Sequence, residues 1–264
     1  MINLNYFRPK NQKRFDLAKS REKFEKRKSK NLKFLLEKRY SWMKKYLGNK
    51  KNIIELGSGN GLSKLVLNNK NILLTDIDIH DWIDHKIDMN KMKLEKKYLG
   101  QVDVFIINHS LHHCAYPGKL LKNLNKYLKK GGYILINDPE ISFFFKFFLY
   151  ILNHEGWSMK TNVFNFKKPI FNPKNPWVSD NAVAFHLFSN EEKFSKFFPE
   201  YEIELNKLNE FSIFLNSGGV VSESPFIPLN NFFLKILDFV DDLLIFLFPS
   251  VFALNRRIVL KKVI

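Results

Sequence analysis

The stretch Ile53 to Ser63, IIELGSGNGLS, constrains the fold more than any other part of the chain. Two β-branched residues lead into Glu55 and Leu56; Gly57, Ser58, Gly59, Asn60 and Gly61 then open a run with helical character. A strand that turns at once through glycines into a helix leaves unpaired backbone N–H groups at the positive end of that helix, where they can face a ligand. Glycine lets the backbone there take a positive φ and come close to a bound molecule, since no Cβ intervenes. Taken alone, the same stretch is also a plain tight turn.

The residues after the glycines narrow the choice. Asn71 to Thr75 (NILLT) is a short apolar strand ending in Asp76-Ile77-Asp78, about 20 residues after the glycines, where a doubly wound fold carries the acid for ribose hydroxyls. Ile87-Asp88-Met89 comes next, then the strand Val102 to Asn108 (VDVFIIN) and the run His109-Ser110-Leu111-His112-His113. A helix begins at Pro117, with Leu120, Leu121, Leu124, Tyr127 and Leu128 on one face, and stops at Gly131-Gly132. Tyr133 to Asn137 (YILIN) is a further strand. This alternation predicts an α/β, Rossmann-like parallel sheet with helices on both faces.

With these residues in view, the chain resembles the class I S-adenosylmethionine-dependent methyltransferases, and most of all the small-molecule enzymes called type 11. The spacing Gly-x-Gly-x-Gly, with an acid two residues before the first glycine, departs from the Gly-x-Gly-x-x-Gly of dinucleotide folds and agrees with that family. The resemblance covers about Asn52 to Pro139 and rests on ELGSGNG, TDID, VDVFIINHSLHH and YLKKGGYILINDPE. HEGW, NPW and LNSGG further on are similar to members from surface-polysaccharide and glycolipid biosynthesis. It implies a seven-stranded sheet whose last strand runs antiparallel, S-adenosyl-L-methionine as cofactor, and roles for particular residues. Gly57, Gly59 and Gly61, with Ser58 between them, would pass the methionine part over their backbone, and Glu55 would orient its amino group. Asp76, or Asp78 in its place, would accept from the ribose hydroxyls. Asp88 would accept from the adenine amino group, Met89 would offer its backbone N–H to the ring, and Asn108 and His109 would face the methionine end and the acceptor. The plainer reading of Asp76, Asp78 and Asp88 is that they cap turns or helices. Asn90 to Leu99 (NKMKLEKKYL), basic and helix-like, departs from the family's aromatic or Pro-rich stretch there.

The net charge of +17 is concentrated. Residues 1–51 hold 18 Lys and Arg against 4 Asp and Glu, which leaves the rest of the chain almost neutral. The expected organisation is a basic helical extension over 1–50 and a methyltransferase domain over 51–264. Within the extension, Lys10 to Lys33 reads as a solvated helix or arm. Leu32, Leu35, Leu36, Tyr40, Met43 and Leu47 recur at helical spacing up to Gly48, so this helix is expected to pack on the sheet beside the first strand. A basic arm suits an anionic membrane surface, nucleic-acid phosphates, or a solubilising face with no fixed partner. The single cysteine, Cys114, excludes an intramolecular disulfide, no Cys/His cluster has zinc-site spacing, and no metal is expected. No signal-peptide core and no 18-residue apolar run stand in the sequence, so the expectation is a cytoplasmic protein, with a peripheral place at the inner face of the membrane as an option.

Two apolar segments bear on that option. Ile141 to Leu152 (ISFFFKFFLYIL) has one Lys, and Leu229 to Leu254 mixes Lys235, Asp238, Asp241 and Asp242 with Phe, Leu, Ile and Val, with an apolar helix expected over about 229–250. A helix greasy nearly all round is either deeply buried or lies in a membrane interface. Between them, an insert over about 141–199 reads as a lid. It contains the aperiodic stretch Asn153 to Phe188 with His154-Glu155-Gly156-Trp157, whose aromatics and Asn/Asp suit a sugar ring, and a capping box formed by Ser189 and Glu192. Methylation of a hydroxyl also calls for a base. His109 and His154 are the first candidates, with His112, His113 and Glu155 as alternatives; the His112-His113 pair also fits a structural role. The expected acceptor is a sugar, glycolipid or other small membrane-linked intermediate methylated on oxygen. The second choice is RNA or DNA, met by the basic arm, although the fourth strand lacks the Asn/Asp-Pro-Pro-aromatic turn that grips a flipped base. Oligomeric state is not legible.

Overall fold

The computed structural model of the chain describes residues 3–9, 16–26, 29–153, 155–175 and 177–264. Seven strands form the central sheet: β1 (Ile53–Leu56), β2 (Ile72–Asp76), β3 (His85–Lys86), β4 (Val102–Asn108), β5 (Leu128–Pro139), β6 (Tyr201–Asn209) and β7 (Asn255–Lys262). Their spatial order is β3-β2-β1-β4-β5-β7-β6. All neighbours pair in parallel except β7, which is antiparallel to both β5 and β6. A separate two-residue ladder joins Tyr6–Phe7 to Trp157–Ser158.

The strands read as they must to be covered on both faces. Along β4, Phe105 and Ile107 enter one core with Ile54, Leu56, Ile134 and Ile136, while Val104 and Ile106 enter the other with Ile53, Leu135 and Val259. The first core is closed by α5 (Pro117–Tyr127), α7 (Val183–Phe188) and α8 (Glu191–Phe197); the second by α2 (Lys30–Ser41), α3 (Lys44–Leu47) and α4 (Leu62–Leu67), the order along the chain beginning with α1 (Leu17–Lys26). The expected packing of Leu32, Leu36, Tyr40, Met43 and Leu47 beside Ile53 is present. The part of Lys10 to Lys33 at residues 10–15, 27 and 28 lies outside the described residues.

Three local expectations are corrected. α5 ends at Tyr127 rather than at Gly131-Gly132, because Leu128 is buried opposite Val102 and opens β5; the glycines sit in the register shift before Tyr133 pairs with Val104. Asn90 to Leu99 holds no α-helix, only single 3-10 turns at Met89–Lys91 and Lys96–Tyr98. The cap of α8 is Asn190, whose side chain accepts from Lys193 N, since α7 runs on until Ser189 is its C-cap.

The sheet order reverses between β1 and β4, where an open α/β sheet leaves a crevice outside the strand ends. Further helices come from the chain's second half. α6 (Phe143–Leu152) starts at Ser142, whose hydroxyl accepts from Phe145 N, and ends at Asn153 with φ +47°. α9 (Ser212–Leu215) and α10 (Asn231–Leu247) precede α11 (Pro249–Phe252), with Pro249 opening α11 just after α10 ends. Among the described residues no helix is long and apolar enough to cross a membrane.

Candidate active site

The glycine turn sits at the crevice. Gly57, Gly59 and Gly61 all take left-handed conformations, with φ of +66°, +51° and +65°. At Gly57 a side chain has no room: a Cβ would stand 2.6 Å from Ser110 Cβ, just past the end of β4. Gly59 is the opposite case, because a Cβ there would meet nothing nearer than Leu17 Cδ2 at 4.0 Å. The space over Gly59 is open, as a cradle for a ligand must be. Ser58 ties β1 to β2, its hydroxyl accepting from Thr75 N at 3.0 Å.

Asp76 reaches back to this turn from the end of β2. Its Oδ2 accepts from Gly59 N at 2.8 Å and its Oδ1 from Asp78 N at 3.1 Å. Burial raises its pKa, against the backbone N–H groups that favour the charged form. Glu55 lies beneath the turn, 2% exposed, and accepts from the Ser63 hydroxyl in the first turn of α4. Burial pushes its carboxyl up to about 7. Asp88 caps the next turn by accepting from Asn90 N at 2.8 Å, and Met89 extends its Cε to 3.3 Å from where a Gly57 Cβ would be.

Two residues at the turn carried no signal in the sequence. Trp82 Nε1 donates to Gly59 O at 2.9 Å, and Arg21 Nη1 donates to Asn60 O at 3.0 Å while its guanidinium lies 5.0 Å over the Trp82 ring. α1, part of the basic extension, thus clamps the loop. A surface cleft of about 460 Å³ is lined by Asn90, Lys91, Lys93, Lys119 and Lys126 among others.

Across the ends of β4, β5 and β7 runs a ladder of asparagines. Asn108 Nδ2 donates to Tyr40 Oη at 2.8 Å, Asn137 Nδ2 to Asn108 Oδ1 at 2.8 Å, and Asn255 Nδ2 to Asn137 Oδ1 at 2.6 Å. Glu210 closes the row and is held by Arg39, whose Nε and Nη2 donate to its carboxylate at 3.0 and 2.8 Å. His109 stands on this platform in a left-handed conformation, φ +51°, with its backbone N–H donating to Asn137 O at 2.7 Å. Its Nε2 is buried with no hydrogen-bond partner among the described residues. Burial and then the Arg39 guanidinium hold its pKa well below the usual histidine range, so the ring is neutral.

The second histidine group lies just beyond. His112 Nδ1 is 2.9 Å from Asp138 Oδ1, and Asp138 also accepts from Leu111 N. Glu155 lies opposite: its Oε2 is 3.7 Å from His112 Nε2 and its Oε1 is 3.6 Å from His113 Nε2. Burial disfavours a charged His112, but Asp138 and Glu155 outweigh it and push the ring up to about 10. His154 lies outside the described residues. Trp157 is buried against Phe7, ring centroids 5.2 Å apart, and Phe164 and Phe171 are buried too, so these aromatics pack within the protein rather than standing open to a sugar.

The family model described as "Methyltransferase domain" matches residues 19–200, which take in the glycine turn, Asp76 and both histidine groups. The chain belongs to this family. The methyltransferase uses S-adenosylmethionine as its methyl donor, on a Rossmann-like sheet. The open space over Gly59, the left-handed glycines and the acid buried beside them fit such a cofactor.

Among solved structures, the methyltransferase is similar to a SAM-dependent methyltransferase from Archaeoglobus fulgidus at 17% identity and a TM-score of 0.45, over 87% of this chain and 94% of that one. It is similar to a putative S-adenosylmethionine-dependent methyltransferase from Listeria monocytogenes at 11% identity and a TM-score of 0.43, over 84% and 96% of the two chains. A putative sarcosine dimethylglycine methyltransferase from Galdieria sulphuraria gives 10%, 0.45, 88% and 85% in the same terms. Likenesses of this degree add nothing to the assignment, which rests on the family match. No curated protein matches the chain.

Proposed function

We propose that this methyltransferase acts on a hydroxyl group of a small acceptor held at an anionic membrane surface: a sugar, glycolipid or other lipid-linked intermediate. One observation carries this reading. α10 is turned inside out for a soluble protein. Its buried stripe holds Asp241 with Leu234 and Ile245, and Asp238 pairs with Lys38 of α2, while Phe232, Phe239 and Phe246 are 67%, 70% and 82% exposed. Phe252 of α11 stacks on Phe144 of α6 at 5.4 Å, and Phe143, Phe147, Ile151 and Leu152 of α6 are also exposed, so one apolar face runs over three helices. Soluble monomers rarely leave such a face to water.

The neighbouring charge suits an anionic bilayer as the occupant. α2, which packs on α10, belongs to the extension that holds most of the net positive charge. Both ends of α6 adjoin the histidine group, since Asp138 precedes it and Glu155 follows it. An acceptor anchored in lipid under α6 would therefore meet that group first.

In this reading the backbone of Gly57, Gly59 and Gly61, with Ser58, holds the methionine part of the cofactor. Asp76 with Asp78 holds its ribose, and Asp88 with Met89 its adenine. Glu55 acts from beneath the turn and Asn108 from the strand end. Bound S-adenosylmethionine supplies an electrophilic methyl group on a sulfonium. The protein's part is alignment and proton removal. His109 Nε2, neutral and without a partner among the described residues, takes the acceptor's proton.

Co-flotation with vesicles of phosphatidylglycerol and phosphatidylcholine tests the membrane half of the proposal. The wild type should float with them, and Phe239→Glu with Phe246→Glu should stay at the bottom; both sites are exposed, so folding is not at stake. Equal flotation of the variant would overturn the reading. So would binding of bulk RNA without vesicle binding, which the lysine-lined cleft would then explain, or a dimer in sedimentation that buries the face.

A further inference from the structure

We propose that His112, His113 and Glu155 form a binding site for one divalent transition-metal ion. The ligand-capable atoms of these three residues all lie within 4.8 Å of one another. Each ring is already oriented. His112 Nδ1 faces Asp138 at 2.9 Å and His113 Nδ1 faces the Val178 carbonyl at 3.3 Å, so both rings turn Nε2 toward the same carboxylate. A ligating histidine characteristically donates its other N–H to a carboxylate or a backbone carbonyl, which fixes the tautomer. Asn181 Nδ2 in turn donates to Glu155 Oε2 at 3.0 Å and steadies the third ligand.

The spacing is that of an ion pair and accommodates a metal ion as well. Nε2-to-carboxylate distances of 3.6 and 3.7 Å exceed hydrogen-bond range. They come close to the separation of about 3.3 Å between two ligand atoms that share a tetrahedral zinc-type ion at bonds near 2.0–2.1 Å. A set of two imidazoles and one carboxylate suits zinc, cobalt, iron(II) or manganese rather than calcium. With three protein ligands among the described residues, a tetrahedral ion has a fourth position to fill. His113 and Glu155 are partly exposed, which provides an entry path. Sequence spacing could not show the site: Glu155 is far from the histidine pair along the chain, and α6 brings it back.

An acceptor oxygen in that fourth position would lose its proton more easily, as it does on a Lewis acid. That role, though not the binding of the ion, rests on the proposed hydroxyl acceptor. The test is a titration of tag-free, chelator-treated full-length protein with cobalt(II), followed by visible absorption and by elemental analysis after desalting. One cobalt per chain with d–d bands is expected, displaced by zinc. His113→Ala and Glu155→Gln should abolish the bands, and Asp138→Asn should weaken binding about 10–100-fold, while all three variants still bind S-adenosylhomocysteine and so report an intact fold. Failure of the wild type to bind cobalt, or equal binding by His113→Ala and Glu155→Gln, overturns the site. Neither result depends on vesicle flotation, so the two proposals fail separately.

Discussion

Replacing Arg39 by Met is expected to destabilise the fold by about 3–5 kcal/mol, the typical cost of removing one partner from a buried ion pair. Arg39 and Glu210 are both buried, and Arg39 meets the carboxylate through two nitrogens. Without the guanidinium, Glu210 keeps Asn209 and Asn255 as donors at 3.2 and 3.3 Å and feels the more distant charges of Lys38 and Arg257, but it loses the cation that bonds its carboxylate directly. Glu210 also takes a left-handed conformation, φ +64°, so its backbone has little freedom to carry the side chain out to water. Urea unfolding measures the loss. The double variant Arg39→Met with Glu210→Gln should recover most of it, because no lone charge then remains. A cost under about 1 kcal/mol for the single change would show that the pair does not hold the platform beneath His109.

His109→Ala is expected to lower turnover by 10²- to 10⁴-fold, the contribution of a positioned general base. The residue carries two marks of a site under functional constraint: a left-handed backbone in a non-glycine residue and a buried ring nitrogen without a partner among the described residues. His109→Asn is the companion variant, since asparagine tolerates that backbone and lacks the basic nitrogen. Both should bind S-adenosylhomocysteine as the wild type does. The readout is labelled methyl transfer from S-adenosylmethionine into a membrane lipid extract. Wild-type turnover in both variants would move the base to His112, His113, His154 or Glu155.

The parts of this molecule that were legible in the sequence are those written in local pattern. The glycine turn, Asp76 at its spacing, the apolar run of β4 and the leucine stripe of α5 each come from a few neighbouring residues. Boundaries were less legible. Ser189 and Asn190 are both good caps, and only the length of α7 decides between them. Leu128 fits the stripe of α5 and the ladder of β5 equally well until Val102 is known to lie opposite it. Partnerships across the sheet were not legible at all. The ladder Asn108, Asn137, Asn255 exists because β4, β5 and β7 lie side by side, which is a property of strand order. Asp138 stood in the sequence only within the run YLKKGGYILINDPE, and its pairing with His112 needed the register of β4 and β5. The apolar helices announced themselves, but burial and exposure give the same sequence, and only the inward aspartates of α10 tell them apart.

The central claim is that the crevice over Gly59, beside Asp76, holds the cofactor. Calorimetric titration of S-adenosylhomocysteine into the full-length protein tests it most directly. One molecule should bind per chain. Gly59→Arg, which fills the open space at a backbone position with φ +51°, should abolish binding, and Asp76→Ala should weaken it severely, with far-ultraviolet circular dichroism unchanged in both. Wild-type affinity in the two folded variants, or no binding by the unaltered chain, would contradict the account.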